Sequence, residues 1–326
     1  MNKLKHYLNL VRWPNLLIMA LIFVVLRYGF LVELGFDVYL SPLWHSLLIL
    51  ATLLVAGGGN AVNDAFDSKA DAINKPAKQI VGVYISKDNA LFTGQVLLLA
   101  GVILGLAIGY FNDMLTFSYI YPLCGLLLWL YASYLKRQPF VGNLIVSLLA
   151  GILVLNEIIF DILKTLNPEN AEYQQQGILI IGVFAGFSFF TTLVRELIKD
   201  LQDVPGDRAA GYKTLPITSG TLFPKIMIIV LIMLLIVSVG WLVIQTLTGG
   251  DYLSGMYLLL LVVSPLLYIM VRIAPATKPE ALGKLGNIMK AVMVAGILSL
   301  VVFTIAYRMS LPEPEPQYDI RIESGN

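Results

Sequence analysis

Residues 43–71 read LWHSLLILATLLVAGGGNAVNDAFDSKAD. The first twenty or so are apolar enough to cross a bilayer as one helix, and the end of the stretch carries three aspartates. Asp64, Asp67 and Asp71 stand at i, i+3 and i+7, which at about 100° per residue puts them on one helical face. Asn60 and Asn63 extend that polar face one turn back into the membrane. Like charges aligned on one stripe repel and weaken a helix. A chain with few charges has little structural reason to gather them, whereas a bound divalent cation would supply one.

The pattern returns at residues 195–216, RELIKDLQDVPGDRAAGYKTLP. Asp200, Asp203 and Asp207 repeat the spacing, and Glu196 precedes Asp200 by the same interval as Asn60 precedes Asp64. Pro205 and Gly206 are predicted to interrupt the helix before Asp207.

Lipid is the solvent that the composition implies. Of 326 residues 58% are hydrophobic and 13% charged, against roughly a quarter charged in a soluble domain. The net charge of +1 gives no basic field that would argue for nucleic acid. The single cysteine, Cys124, excludes an internal disulfide and reads as a small buried apolar residue. Nine apolar segments qualify as spans: 14–32, 43–62, 89–110, 114–134, 141–163, 177–198, 222–248, 252–273 and 285–308. Of the 22 lysines and arginines, eighteen fall at the N-terminus and around the connections after spans 2, 4, 6 and 8. The positive-inside rule then puts the N-terminus in the cytoplasm and the C-terminus on the opposite side, as for an inner-membrane protein. The tail 311–326, rich in Pro and Glu, reads as disordered.

Both motifs close even-numbered spans, so parity brings them to one face. Mg²⁺ is usually held by one or two carboxylates together with substrate phosphate oxygens. Two facing carboxylate clusters suit two such ions bridged by a diphosphate, with Lys75, Lys78, Lys199, Arg208 and Lys213 neutralising the remaining charge. Metal ligands are expected among Asn63, Asp64, Asp67, Asp71, Asp200, Asp203 and Asp207.

On these residues the sequence resembles the UbiA superfamily of intramembrane prenyltransferases. The resemblance rests on Asn63-Asp64-x-x-Asp67-x-x-x-Asp71 and on Asp203-x-x-x-Asp207 preceded by Asp200. Arg12-Trp13-Pro14-Asn15, the stretch from Tyr131 to Lys136 before Asn143, and Gly211 to Pro216 support it. It implies an all-α fold of nine helices, two four-helix halves plus a ninth, around a central cavity that opens to the bilayer. Residues 1–310 would form this domain, with cytoplasmic caps at about 65–88 and 199–221. Within the superfamily the chain is most similar to the digeranylgeranylglyceryl phosphate synthase branch, although Asn74-Lys75-Pro76 stands where many quinone-pathway members carry an arginine. The implied activity is Mg²⁺-dependent transfer of a prenyl group, geranylgeranyl for that branch, to geranylgeranylglyceryl phosphate in ether-lipid synthesis. A menaquinone-type aromatic acceptor is the second reading.

Ionisation of the donor would leave an allylic cation, for which Phe66, Tyr131, Tyr134 and Phe187 offer π faces. The segments 68–87 and 201–220 are the expected lids, hinged at Gly82, Gly206 and Gly211. Arg12, Lys136 and Arg272 are candidates to hold an acceptor phosphate.

Other polar groups carry less. Glu157 and Asp161 are expected near the far interface, hydrated. His6 and His45 have no metal-ligand partner at helical spacing. Gly57-Gly58-Gly59 lies within span 2 and reads as a close-packing site, not a phosphate loop. The competing class is a transporter for a cation or an anionic lipid. Transporters usually place their sites at the midplane on broken helices, whereas these charges collect at one surface. Oligomeric state is not legible.

Overall fold

The computed structural model describes residues 3–311. The tail expected to be disordered lies outside those residues, apart from Leu311. Among the described residues the chain is helical, with nine helices long and apolar enough to span a bilayer. They are α1 (Trp13–Leu31), α2 (Pro42–Asn74), α3 (Lys87–Phe111), α4 (Leu115–Ser133), α5 (Val141–Ile162), α6 (Ala171–Ala209), α7 (Leu222–Thr248), α8 (Tyr252–Ile273) and α9 (Pro279–Ser310). In hydrocarbon every backbone N–H and C=O must find its partner within the segment, which makes helices of these apolar runs. Proline stands in the first turn of α1, α2 and α9, where its missing N–H costs nothing. Ser41 and Ser86 cap α2 and α3 by accepting from Trp44 N and Asn89 N.

Small residues let α2 and α3 run in close contact. A Cβ on Gly58 would lie 2.7 Å from Gly94 O, and one on Gly101 would lie 2.8 Å from Ala51 O. The glycine run of α2 is therefore a packing surface, as its sequence suggests, with Gly59 seated against Leu128 of α4. One apolar core gathers Phe23, Leu48, Val62, Leu98, Tyr121 and Phe160 from α1 to α5. A second gathers Leu197, Ile228, Ile232, Leu266, Ile273 and Met289 from α6 to α9. A third, with Leu26, Val154, Ile181 and Leu300, joins α1, α5, α6 and α9.

The two motif-bearing helices are the long ones: α2 has 33 residues and α6 has 39. At 1.5 Å per residue each extends well past the hydrocarbon core of about 30 Å. Residues 65–74 and 199–209, expected as parts of cap loops, are thus helical extensions that carry the aspartates out of the membrane. What remains irregular is shorter. Lys75–Ser86 links α2 to α3, and residues 210–214 lead into a short helix at Leu215–Ser219.

Candidate active site

Pro205 does not break α6, which continues to Ala209 with the proline inside it. Its missing N–H leaves the Leu201 carbonyl without its helical donor. Contact with α2 holds the turn in place: Gly206 N donates to Asn74 Oδ1 at 2.8 Å, and a Cβ on Gly206 would lie 2.5 Å from Ala70 O. Only glycine permits that approach. Gly206 is therefore a packing point and not a hinge, while Gly82 and Gly211 do adopt positive φ.

This contact brings the two carboxylate motifs together. Lys75 Nζ lies 3.1 Å from Asp203 Oδ2 and 4.0 Å from Asp71 Oδ1, so one ammonium bridges the clusters. Asp67, buried, is held by Lys136, by Asn63 Nδ2 at 2.9 Å and by Tyr212 Oη at 3.2 Å. Asn143 Nδ2 donates to Asp200 Oδ2 at 2.9 Å. Arg12 Nη2 is 2.5 Å from Asp64 Oδ1, reached from a left-handed backbone (φ 57°, ψ 52°) that is costly for a non-glycine residue. Asp203 and Asp207 are both buried, and Asp203 Oδ1 has no hydrogen-bond partner.

The electrostatics outside the membrane helices follow from these pairs. Asp64 raises the Arg12 guanidinium above its ordinary value. Burial opposes the charge on Lys136, but Asp67 more than offsets it and the ammonium is held above its usual range. Burial and the adjoining Asp67 push the Tyr212 phenol up to about 12. Each group stays protonated, and each donates toward the first motif.

Above the motifs lies a polar cleft of about 990 Å³, lined by Arg12, Asp64, Asp71, Lys75, Lys78 and Lys199. Beneath it an apolar chamber of about 290 Å³ runs between α1, α2, α4, α5, α6 and α9. Asn15 and Arg195 line both. The chamber's far wall includes Thr52, Asn156 and Tyr121, whose hydroxyl lies 3.0 Å from Thr52 Oγ1. Asn60 lines this chamber and donates to Val11 O at 3.1 Å.

Some expected residues stand elsewhere. Arg208 and Lys213 are exposed and do not line the cleft, and Arg272 is exposed at the end of α8. Of the four expected aromatics none lines the chamber. Tyr131 is buried against Gly142, Phe66 packs on Trp129, Phe187 packs on Gly296, and Tyr134 is exposed. Tyr121 is the aromatic among the chamber's lining residues. Tyr212 and Lys290 were not expected in the site. The sequence around Tyr212, directly after the second motif, was the available signal, whereas Lys290 reads as an ordinary end-of-span lysine.

A second polar cluster sits at the other end of the helices. Glu157 and Asp161 are not hydrated there but 0% exposed. Arg27 donates to Asp161 Oδ2 and to Leu40 O, while Leu40 N donates to Asp161 Oδ1 at 2.9 Å. His45 Nε2 lies 2.9 Å from Glu157 Oε1, so this histidine does have a carboxylate partner, from a different helix. Arg27 and Asp161 each fall in a π-helical turn that closes its span, a widening that re-aims side chains. His45, Glu157 and Asp161 bring three ligand atoms within 4.8 Å of one another. The guanidinium already pairs with Asp161, however, and a divalent ion there would leave the buried cluster with excess positive charge. The cluster reads as an interhelical lock.

Comparison with known proteins agrees with this architecture. The model of the UbiA prenyltransferase family matches residues 16–291. A digeranylgeranylglyceryl phosphate synthase of Methanococcus aeolicus is 32% identical over 306 residues, covering 92% of this chain and 98% of its own. That of Thermococcus sibiricus is 35% identical over 219 residues, covering 67% and 70%. Among solved structures, one described as giving structural and mechanistic insights into the biosynthesis of digeranylgeranylglyceryl phosphate synthase in membranes superposes with a TM-score of 0.59. It is 25% identical and covers 94% of this chain and 99% of its own. A UbiA homologue from Archaeoglobus fulgidus bound to GPP and Mg²⁺ shares the fold, with a TM-score of 0.55 at 16% identity, covering 90% and 99%. With the family model matching most of its length and a relative matching nearly end to end, the chain belongs to the UbiA prenyltransferase family.

Proposed function

We propose that this prenyltransferase moves a geranylgeranyl group from its diphosphate to the free hydroxyl of geranylgeranylglyceryl phosphate. The observation that carries the reading is the junction of two carboxylate-bearing helix ends over a cavity polar at its mouth and apolar beneath. A prenyl diphosphate is an amphiphile of the same shape. The name shared by the full-length relative from Methanococcus aeolicus supports the phosphorylated acceptor. The A. fulgidus homologue, bound to GPP and Mg²⁺, supports the donor class and the metal.

The residues fit a hard divalent ion. Carboxylate oxygens dominate the donor set, and the buried, unpartnered Asp203 Oδ1 is an acceptor that such an ion would satisfy. Asp64, Asp67 and Asp71 with Asn63, and Asp200, Asp203 and Asp207, are the groups that would hold Mg²⁺, in our reading two ions. When bound, Mg²⁺ would draw charge from the diphosphate and make it a better leaving group. Lys75 and Lys199, at the cleft wall, orient and neutralise the diphosphate; Lys78, exposed at the rim, attracts it. Lys136 and Tyr212 fix the Asp67 carboxylate in one orientation. The carbon–oxygen bond to the diphosphate breaks with its electron pair leaving on oxygen, the acceptor oxygen bonds to the allylic carbon, and the acceptor's proton passes to the departing diphosphate. Tyr121 presents the chamber's aromatic face to the prenyl chain, and the apolar walls keep water from the cation. Segments 75–86 and 210–214 serve as lids. The charge bias of the connections supports a cytoplasmic N-terminus and motif face.

Transport is the weaker reading, because Tyr121 on the chamber's far wall packs on Phe160, and Asn156 there adjoins Glu157, which pairs with His45; Phe160, Glu157 and His45 are fully buried. The test uses purified protein in nanodiscs with Mg²⁺ and labelled geranylgeranyl diphosphate. Offered geranylgeranylglyceryl phosphate or a naphthoate acceptor, it should prenylate the first, and a chelator should stop the reaction. Product from the naphthoate alone, or turnover unaffected by chelation, overturns the assignment.

A further inference from the structure

Resting on that acceptor reading, we infer that Arg195 and Lys290 form the subsite for the acceptor's phosphate, at the seam between the polar cleft and the apolar chamber. The cations expected for this role are committed or remote. Arg12 is bound to Asp64, Lys136 is bound to Asp67, and Arg272 lies outside both cavities. Lys290 is different. Its Nζ contacts the neutral Asn15 Oδ1 at 2.5 Å, and among the described residues no carboxylate pairs with it. It is a half-buried ammonium facing a chamber whose other walls are mostly apolar.

Arg195 lines the same chamber and reaches the cleft as well. It pairs with Glu196 at 2.6 Å, and Glu196 also lies 3.7 Å from Lys199. With Lys199 turned to the cleft and the diphosphate, Arg195 and Lys290 face the seam with Glu196 as the carboxylate beside Arg195, a surplus of one positive charge. A phosphate monoester carries a charge of about −1.5 to −2 near neutral pH, opposite in sign to that surplus and larger than it. A half-buried ammonium without a carboxylate partner, as Lys290 is, gains from an anion that joins it.

Position argues for the acceptor and not the donor. Arg195 precedes Asp200 and Asp203 on α6 by five and eight residues, so it lies about 7 to 12 Å deeper along the helix than the carboxylates that take the diphosphate. A phosphate held there leaves the glycerol hydroxyl, on the carbon adjacent to the one bearing the phosphate, at the top of the chamber, where the donor's allylic carbon hangs below its diphosphate. Asn15 holds the Lys290 ammonium over the seam. A naphthoate carboxylate, with a single negative charge, would compensate these cations less fully than a phosphate monoester, so the pair also favours the phosphorylated acceptor.

The experiment compares wild type with Lys290→Met, Lys290→Arg, Arg195→Gln and the remote Arg272→Gln, measuring donor and acceptor KM separately. Lys290→Met and Arg195→Gln should raise KM for geranylgeranylglyceryl phosphate roughly 10- to 100-fold with donor KM little changed. Lys290→Arg should restore most of the loss, and Arg272→Gln should match wild type. Geranylgeranylglycerol, which lacks the phosphate, should be a poor acceptor for wild type and no poorer for Lys290→Met. A rise in donor KM instead, or an unchanged acceptor KM in an active enzyme, overturns the subsite alone. A wild type that ignores geranylgeranylglyceryl phosphate overturns the acceptor reading and the subsite with it.

Discussion

Two charged clusters occupy opposite ends of one apolar bundle, and they are built on opposite principles. At the motif end, six aspartates from α2 and α6 meet with lysines between them, a buried carboxylate oxygen of Asp203 is left over, and a cleft is lined by Asp64 and Asp71. At the other end, Arg27, His45, Glu157 and Asp161 are each 0 to 2% exposed and pair as Arg27–Asp161 and His45–Glu157; Arg27 Nε, His45 Nδ1 and Glu157 Oε2 lack hydrogen-bond partners there, but none of the four residues lines the cleft or the chamber. The first arrangement keeps unspent charge where a ligand can reach it. The second cancels its charge inside the protein and cross-ties α1, α2 and α5. Charge in a membrane protein is thus informative less by its presence than by its balance and its access to a cavity.

The comparison predicts a division of effects. Asp161→Asn or Arg27→Met leaves a buried partner uncompensated, which should cost about 3–5 kcal/mol. Thermal unfolding in detergent should come at a markedly lower temperature, while the protein that stays folded keeps its kcat and KM. A large loss of turnover without loss of stability would make the outer cluster part of the catalytic apparatus. Asp203→Ala should do the reverse: roughly a hundredfold or greater loss of transfer, an unfolding temperature near that of wild type, and a loss of the Mg²⁺ dependence of whatever activity remains. Unimpaired turnover in Asp203→Ala would dissolve the distinction between the two ends.

Gly206→Ala separates assembly of the site from its chemistry. It removes no charge, yet the added methyl must push α6 away from Ala70 and Asn74. The strain should cost about 1–3 kcal/mol, and the parting of the two motifs should lower kcat by about tenfold, since small misplacements of reacting groups carry large rate penalties. Activity equal to wild type would mean that the bridge through Lys75 suffices to hold the motifs in register.

The sequence foretold one end far better than the other. Span boundaries at 222–248 and 252–273 agree with α7 and α8, because an apolar run in lipid has one way to satisfy its backbone. The aspartate motifs are legible because each lies on one helix, where i, i+3 and i+7 specify a face. The outer lock is not: His45 and Glu157 are 112 residues apart, and Arg27 and Asp161 are 134 apart, so only tertiary packing unites them. Pro205 misled for a related reason, since the propensity that breaks an isolated helix yields here to the Gly206–Asn74 contact. Lys290 escaped notice because nothing local marks it apart from Lys284 or Arg272, and its partner Asn15 lies at the other end of the chain.

The smallest effect tests how finely the first motif is tuned. Tyr212 donates to Asp67 Oδ1 at 3.2 Å, while Lys136 and Asn63 hold the other oxygen. Tyr212→Phe removes one of three donors, so kcat/KM should fall by a few-fold to about tenfold, the value of one hydrogen bond. Its pH dependence gives the sharper reading. Because the folded phenol is pushed up to about 12, its stabilising contribution is complete below the ordinary tyrosine value near 10 and is lost only as pH rises through about 12. Wild type should therefore keep its advantage over Tyr212→Phe undiminished from neutral pH to about 10, and lose it above. If the gap instead closes at neutral or acidic pH, some other group orients Asp67. The orientation of Asp67 at the motif end would then have to rest on Lys136 and Asn63.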